Sequence, residues 1–128
     1  MTVSNADFHF AHESDCLTVR VISRHILIQK EAAILAIADA IAARSVKAAL
    51  VDLREVPGPI TFMDRYELGE VAGRYLNLVP IAVVLYEEQA DPERIGKMVA
   101  RNRGANIEVF TDEAEAQAWL QKYLTPQK

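Results

Sequence analysis

Polar and apolar residues alternate through Asp7-Phe8-His9-Phe10-Ala11 and again through Leu17-Thr18-Val19-Arg20-Val21, with the polar Glu13-Ser14-Asp15 between them. A period of two is what a strand with one buried face needs, so these segments predict an antiparallel hairpin pointing Phe8, Phe10, Leu17, Val19 and Val21 at the core. From Ile26 the period becomes helical: Lys30, Ala33, Ile34, Ile37, Ala38, Ile41 and Ala42 form one stripe, which Arg44-Ser45 ends.

Ala48 to Leu53 and Ile81 to Tyr86 hardly alternate, the pattern of central parallel strands covered on both faces. Between them Leu68, Val71, Ala72, Tyr75 and Leu76 make a helical stripe, and Thr61 precedes Asp64 at the spacing of a capping box. Asp91-Pro92-Glu93 predicts an N-cap, a proline at the first helical position and an acidic first turn, with Ile95, Met98, Val99 and Asn102 inward and Gly104 as the stop. Ile107-Glu108-Val109-Phe110 predicts a last strand. Asp112 and Glu115 open a closing helix with Ala116, Trp119, Leu120, Tyr123 and Leu124 inward, and Thr125 to Lys128 read as a frayed tail. The expected fold is α/β: a mostly parallel five-stranded sheet with an antiparallel N-terminal hairpin and four helices, in the order ββαβαβαβα.

Composition narrows the function classes. The 128 residues are 51% apolar and 25% charged, which fits one soluble domain over residues 1–128 with its core at about 7–124. No apolar run approaches the ~20 residues of a membrane span and the first residues lack a signal-peptide pattern, so a cytoplasmic protein without membrane insertion is expected. The net charge of −4 disfavours nucleic acid as a partner, and the lone Cys16 excludes an internal disulfide.

Known catalytic and nucleotide-binding motifs are missing: the chain has no G-x-G-x-x-G, no G-x-x-x-x-G-K-[ST], no G-x-S-x-G and no H-E-x-x-H. His9 and His12, three apart in a strand, point to opposite faces, so no metal site is expected, nor any cofactor. Cys16 reads as a small half-buried apolar residue. Gly69-x-x-x-Gly73 allows close approach of a helix to its neighbour, and Arg94, Lys97, Arg101 and Arg103 make a basic stripe that is either a solvated face or a seat for an anionic ligand or acidic partner. The richest location is the carboxyl end of the central strands, where open α/β sheets bind ligands at a switch point. Asp52 and Arg54 leave one strand, Tyr86 and Glu87 leave the next, and Thr61, Phe62, Asp64, Arg65 and Tyr66 begin the helix between them. Two prolines stiffen the loop Arg54 to Ile60, holding that helix N-terminus in place with N–H groups available to an anion; a plain capped loop with an Asp52–Arg pair is the simpler alternative.

Leu50-Val51-Asp52-Leu53-Arg54, the Pro/Gly turn into Asp64-Arg65-Tyr66-Glu67-Leu68-Gly69, Ala100-Arg101-Asn102-Arg103-Gly104 and Val109-Phe110-Thr111-Asp112-Glu113-Ala114-Glu115-Ala116 together resemble the SpoIIAA-like family of small bacterial proteins, related to STAS domains and to the CRAL-TRIO lipid-carrier fold. The resemblance runs from about Phe8 to Leu124. It implies that fold and a general regulatory or ligand-binding role. Anti-sigma-factor antagonists carry a phosphorylatable serine in an Asp-Ser-x-Gly turn; here the region reads Gly58-Pro59-Ile60-Thr61-Phe62-Met63-Asp64, without the serine. Thr61 lies near its place, but Asp64 would repel a phosphate there.

Three readings follow. The first is a non-enzymatic binding module that docks a protein partner or forms a homodimer, through Asp52, Arg54, Thr61, Phe62, Asp64, Arg65, Tyr66, Tyr86, Arg101 and Arg103. The second is a carrier of a small apolar or lipid-like ligand between sheet and helices, near Phe62, Met63, Tyr66, Met98 and Tyr86. The third is an enzyme that uses Asp52, Asp64, Tyr86 or Arg54, a reading that rests on location alone.

Overall fold

A computed structural model describes residues 2–91 and 93–124. The strands are β1 (Thr2–Ser4), β2 (Phe8–Glu13), β3 (Cys16–Val21), β4 (Ala48–Asp52), β5 (Ile81–Val84) and β6 (Ile107–Phe110). The helices are α1 (His25–Ile28), α2 (Lys30–Arg44), α3 (Phe62–Tyr75), α4 (Ile95–Asn102) and α5 (Glu113–Leu124). All six strands form one sheet in the order β1-β2-β3-β4-β5-β6. β1, β2 and β3 pair antiparallel, and β3 to β6 pair parallel.

The expected hairpin is β2 and β3, in the register Phe8↔Val21 and Phe10↔Val19, turning at Ser14 with φ of 54°. Phe8, Phe10, Leu17, Val19 and Val21 are all buried, as their alternation predicts. β4 is buried at every position, as a strand covered on both faces must be. The sheet has six strands rather than five, because Thr2-Val3-Ser4 adds a further antiparallel strand too short to display alternation. Among the described residues there are five α-helices rather than four, because Gln29, at φ −125° and ψ 66°, interrupts the first helical segment and leaves α1 as a separate turn; a 3-10 turn adds Glu87–Gln89. The stripe of α2 is buried at Ala33, Ile34, Ile37, Ala38 and Ile41, whereas Ala42 is exposed.

Each crossover between parallel strands steps the same way across the sheet, so right-handed connections place their helices on one face. The buried residues bear this out. Leu17, Val19, Ala49, Val51, Ile81 and Ile107 join α1 to α4 in one core, while Ala48, Leu50, Ala82 and Val84 join Ala116 and Leu120 of α5 in another. The strand order never reverses, so the sheet has no switch point of the doubly wound kind.

α4 departs from its expected start and phase. Pro92 lies outside the described residues, as do Thr125 to Lys128, and α4 begins at Ile95 behind Arg94, whose φ of 53° is left-handed. Asp91 still caps it, accepting Ile95 N–H at 3.0 Å. Val99 and Ala100 are buried, while Met98 and Asn102 are exposed, because the helix turns its glycine face to α3. In α5, Ala116 and Leu120 are buried and Tyr123 is largely exposed. Among the described residues no helix is long and apolar enough to cross a membrane.

Candidate functional site

The expected site residues divide into separate groups. Asp52 ends β4 on the α5 side of the sheet and is the one buried charged residue among those described. Arg54 holds it from three directions: its Nε donates to Oδ1 at 3.0 Å, its Nη2 to Oδ2 at 2.9 Å and its backbone N–H to Oδ1 at 3.0 Å. Burial by itself would raise the Asp52 pKa, but these hydrogen bonds and the adjacent cationic charges outweigh it and hold the carboxyl below the usual range. The same guanidinium reaches Glu113 at the start of α5 and lies over the Tyr86 ring, 6.0 Å from its centroid. Asp52, Arg54 and Tyr86 thus do come together, as a clasp between the end of β4 and α5.

The start of α3 forms a second group. Thr61 accepts the Asp64 N–H at 3.0 Å, and Asp64 accepts the Thr61 N–H at 3.0 Å, the reciprocal capping box that the sequence predicts. The Thr61 N–H bond, ahead of the opposing effect of burial and with the help of Lys30, lowers the Asp64 pKa. Lys30 lies 3.1 Å from that carboxylate. The helix end expected to receive an anion therefore already carries one of its own. The proline loop is pinned as expected, with Arg24 donating to the carbonyls of Pro57 at 2.6 Å and Pro59 at 3.1 Å.

The basic stripe is largely neutralised. Lys97 and Arg101 share Glu108, at 2.9 and 3.5 Å, and Arg103 reaches Glu70 at 3.2 Å. Arg101 and Arg103 consequently belong to surface pairs rather than to a site with Asp52. Burial pushes the Cys16 thiol pKa up, and neighbouring Glu13 pushes it further, which leaves a poor nucleophile. His9 and His12 alternate to opposite faces of β2. No group of three or more His, Cys, Asp or Glu able to hold a metal occurs among the described residues.

The structure also contains a cavity of about 130 Å³ between the sheet and α1 to α4. Val51, Ile81, Val83, Ile107 and Val109 form its floor, Ile34 and Ile37 one wall, and Leu68, Gly69, Ala72, Ile95, Gly96 and Ala100 its roof. Its roof is low in side-chain bulk: Gly69 and Gly96 bring α3 and α4 together, and Ala72 and Ala100 add only short side chains above the valines of the floor. Val83 on β5 and Val109 on the edge strand β6 accordingly stay partly exposed. Arg65, Gln89, Asp91, Arg94 and Lys97, all half-buried, complete the lining where it meets solvent.

Of the residues expected to line a ligand pocket, none does: Phe62, Met63, Tyr66, Tyr86 and Met98 are absent from the cavity wall. Phe62 and Met63 fall on the outer side of the first turn of α3 and are each more than half exposed, as are Tyr86 and Met98. Arg65 alone connects the expected site to the cavity, donating to the Gln89 carbonyl at 2.9 Å. The signal for the cavity was present in the chain as Gly69, Ala72, Gly96 and Ala100, small residues on the inward sides of two consecutive helices. Comparison with protein-family models, with curated proteins and with solved structures finds no match to this chain.

Proposed function

We propose that this chain is a non-enzymatic binding module of SpoIIAA-like type, acting in the cytoplasm, that holds a small apolar molecule between its sheet and helices. The observation that carries this reading is the cavity of about 130 Å³, lined almost wholly by carbon and open at one end. Close-packed interiors contain few voids of this size, since each leaves its lining without contacts on one side. An apolar cavity of about 150 Å³ stays dry and accepts benzene, so this one suits an occupant with a body of about six carbons. The carboxyl-end cluster favours a module without catalysis, because its carboxylate and guanidinium, Asp52 and Arg54, are already paired with each other, and Arg54 with Glu113 as well. The strand–helix order and the motifs around Asp52 and Asp64 support the SpoIIAA-like assignment.

Thermal unfolding with added hexan-1-ol or benzene tests the reading. By mass action a hundredfold excess over Kd should raise the midpoint by roughly 10 °C. Val83→Phe, which fills the space from the floor, should abolish that shift while the protein remains folded. An unchanged wild-type midpoint at saturation would reject the reading. A second reading, docking of a protein partner or a second copy, is favoured by the adjacent exposed Phe62 and Met63. Phe62→Ser with Met63→Ser would weaken such an association and leave hexanol binding untouched.

A further inference from the structure

We infer that the molecule held in this cavity is a small carboxylate, its apolar body of about six carbons under α3 and α4 and its anionic head between Arg65 and Arg94. This rests on the proposal that the cavity binds a ligand, and goes beyond it by naming the charge the ligand carries.

Arg20, Arg54, Arg74, Arg101 and Arg103 each pair with a carboxylate. Arg24, Arg44, Arg65 and Arg94 hydrogen-bond only to main-chain carbonyls, and of these Arg65 and Arg94 line the cavity, donating to the carbonyls of Gln89 and Asp91, both at 2.9 Å. A guanidinium has five N–H donors, so most of each fork is left for another acceptor. Both side chains lie at the mouth of the cavity, where their stems extend an apolar wall and their heads reach water.

Acidic and basic groups are mixed at this mouth, but the guanidinium donors are not all taken. Lys97 is paired with Glu108 at 2.9 Å. Glu87 lines a shallow depression with Arg94, and Asp91 lies close enough to feel the charge of both Arg65 and Arg94. Its two oxygens are also occupied, Oδ1 by the Glu93 N–H and Oδ2 by the Ile95 N–H, each at 3.0 Å. What the mouth supplies is guanidinium N–H groups not spent on a carboxylate, at the opening of a carbon-lined space in a protein whose net charge is −4. The bulk field therefore repels anions, and any preference for one must originate here. A planar carboxylate matches the fork geometry of arginine.

Arg94 adds an independent observation. Its φ of 53° and ψ of 45° are left-handed, a conformation in which glycine is free of strain and arginine is not. A strained long cationic residue at the rim of a cavity is the arrangement expected where the side chain serves a ligand at the expense of the backbone.

The test is calorimetric titration of the purified protein with hexanoate, hexan-1-ol and hexylammonium, three probes that share a body and differ in head. The expected result is that hexanoate binds about tenfold tighter than hexanol or better, as charge-assisted hydrogen bonds in a partly desolvated site allow. Hexylammonium should bind worst. Arg65→Gln and Arg94→Gln should each narrow the gap between hexanoate and hexanol by lowering hexanoate affinity more than hexanol affinity, and Arg94→Gly should unfold no earlier than the wild type because it relieves the left-handed strain. Hexanol binding as tightly as hexanoate would overturn the carboxylate assignment and leave the apolar cavity reading standing. Binding of none of the three probes would overturn both.

Discussion

Gly69 of α3 faces the carbonyl of Gly96 in α4 so closely that a Cβ on Gly69 would lie 2.5 Å from that oxygen and 3.0 Å from Val99 Cβ. The obstruction is backbone, which cannot swing aside as a side-chain tip can. Gly69→Ala should therefore separate the two helices and cost about 1 to 3 kcal/mol, despite the better helix propensity of alanine. Urea unfolding checks this against Gln117→Ala on the exposed side of α5, which should change stability by no more than about 0.5 kcal/mol. Equal effects from the two substitutions would remove the close-packing account of Gly69.

Arg54 holds Asp52 in place, and losing it should be felt most near neutral pH. In Arg54→Gln the buried carboxylate loses its ion pair, and burial then raises its pKa instead of the pair lowering it. The variant should be less stable by about 1 to 3 kcal/mol at pH 7. The deficit should shrink as pH falls below about 4, where the unfolded chain's Asp52 takes up a proton and the paired carboxylate of the wild-type fold progressively loses its advantage. Urea midpoints of both proteins at pH 7 and pH 3 measure the difference, and a deficit that grows on acidification would contradict the pairing.

The wild-type chain should show its own acid limit. Asp52, Asp64, Asp91 and Glu108 all have lowered pKa values in the fold. Backbone N–H groups of Ile95 and Glu93 do this for Asp91; for Glu108, burial opposes the shift and is outweighed by Lys97, the Val109 N–H and Arg101. A carboxylate with a depressed folded pKa contributes stability above its unfolded pKa and loses it as pH falls through the folded value. Stability should be flat between about pH 5 and 7 and decline below about pH 4. Denaturant unfolding across that range is the measurement, and a steady gain in stability on acidification would contradict these assignments.

Much of the fold can be read along the chain, and the reason is local. The β2–β3 hairpin and its register follow from alternation, the burial of β4 from its unbroken apolar run, and the start of α3 from the Thr61 and Asp64 spacing, each of which needs only neighbouring residues. What escaped depends on distance or brevity. β1 is three residues long and is recognised only by its pairing with β2. The break at Gln29 lies inside a sequence of good helix formers. The phase of α4 is set by where Gly69 and Gly73 accept it, so Met98 faces outward although its spacing matches an inward stripe. The cavity was hidden for a related reason: each lining residue reads individually as core, and the space appears only when the short residues of α3 and α4 meet the valines of β4, β5 and β6.

Thr61 separates capping from binding. Thr61→Ala removes the hydroxyl that accepts the Asp64 N–H and should cost about 1 kcal/mol. It should not change the affinity for hexanol or hexanoate, because neither Thr61 nor Asp64 lines the cavity. Unfolding and calorimetry on the same preparation provide both readouts. A loss of affinity at unchanged stability would return the helix start to the binding site.

The most direct test of the cavity as a binding site is a titration of hexan-1-ol followed by NMR of labelled Ile, Leu and Val methyl groups. Saturable shifts concentrated at Val83, Val109 and Ile95 are predicted, with Val21 and Leu120, which lie outside the cavity wall, unchanged at the same concentration. Methyl signals of Val83, Val109 and Ile95 that stay fixed to saturation, or that move no more than those of Val21 and Leu120, would contradict the account.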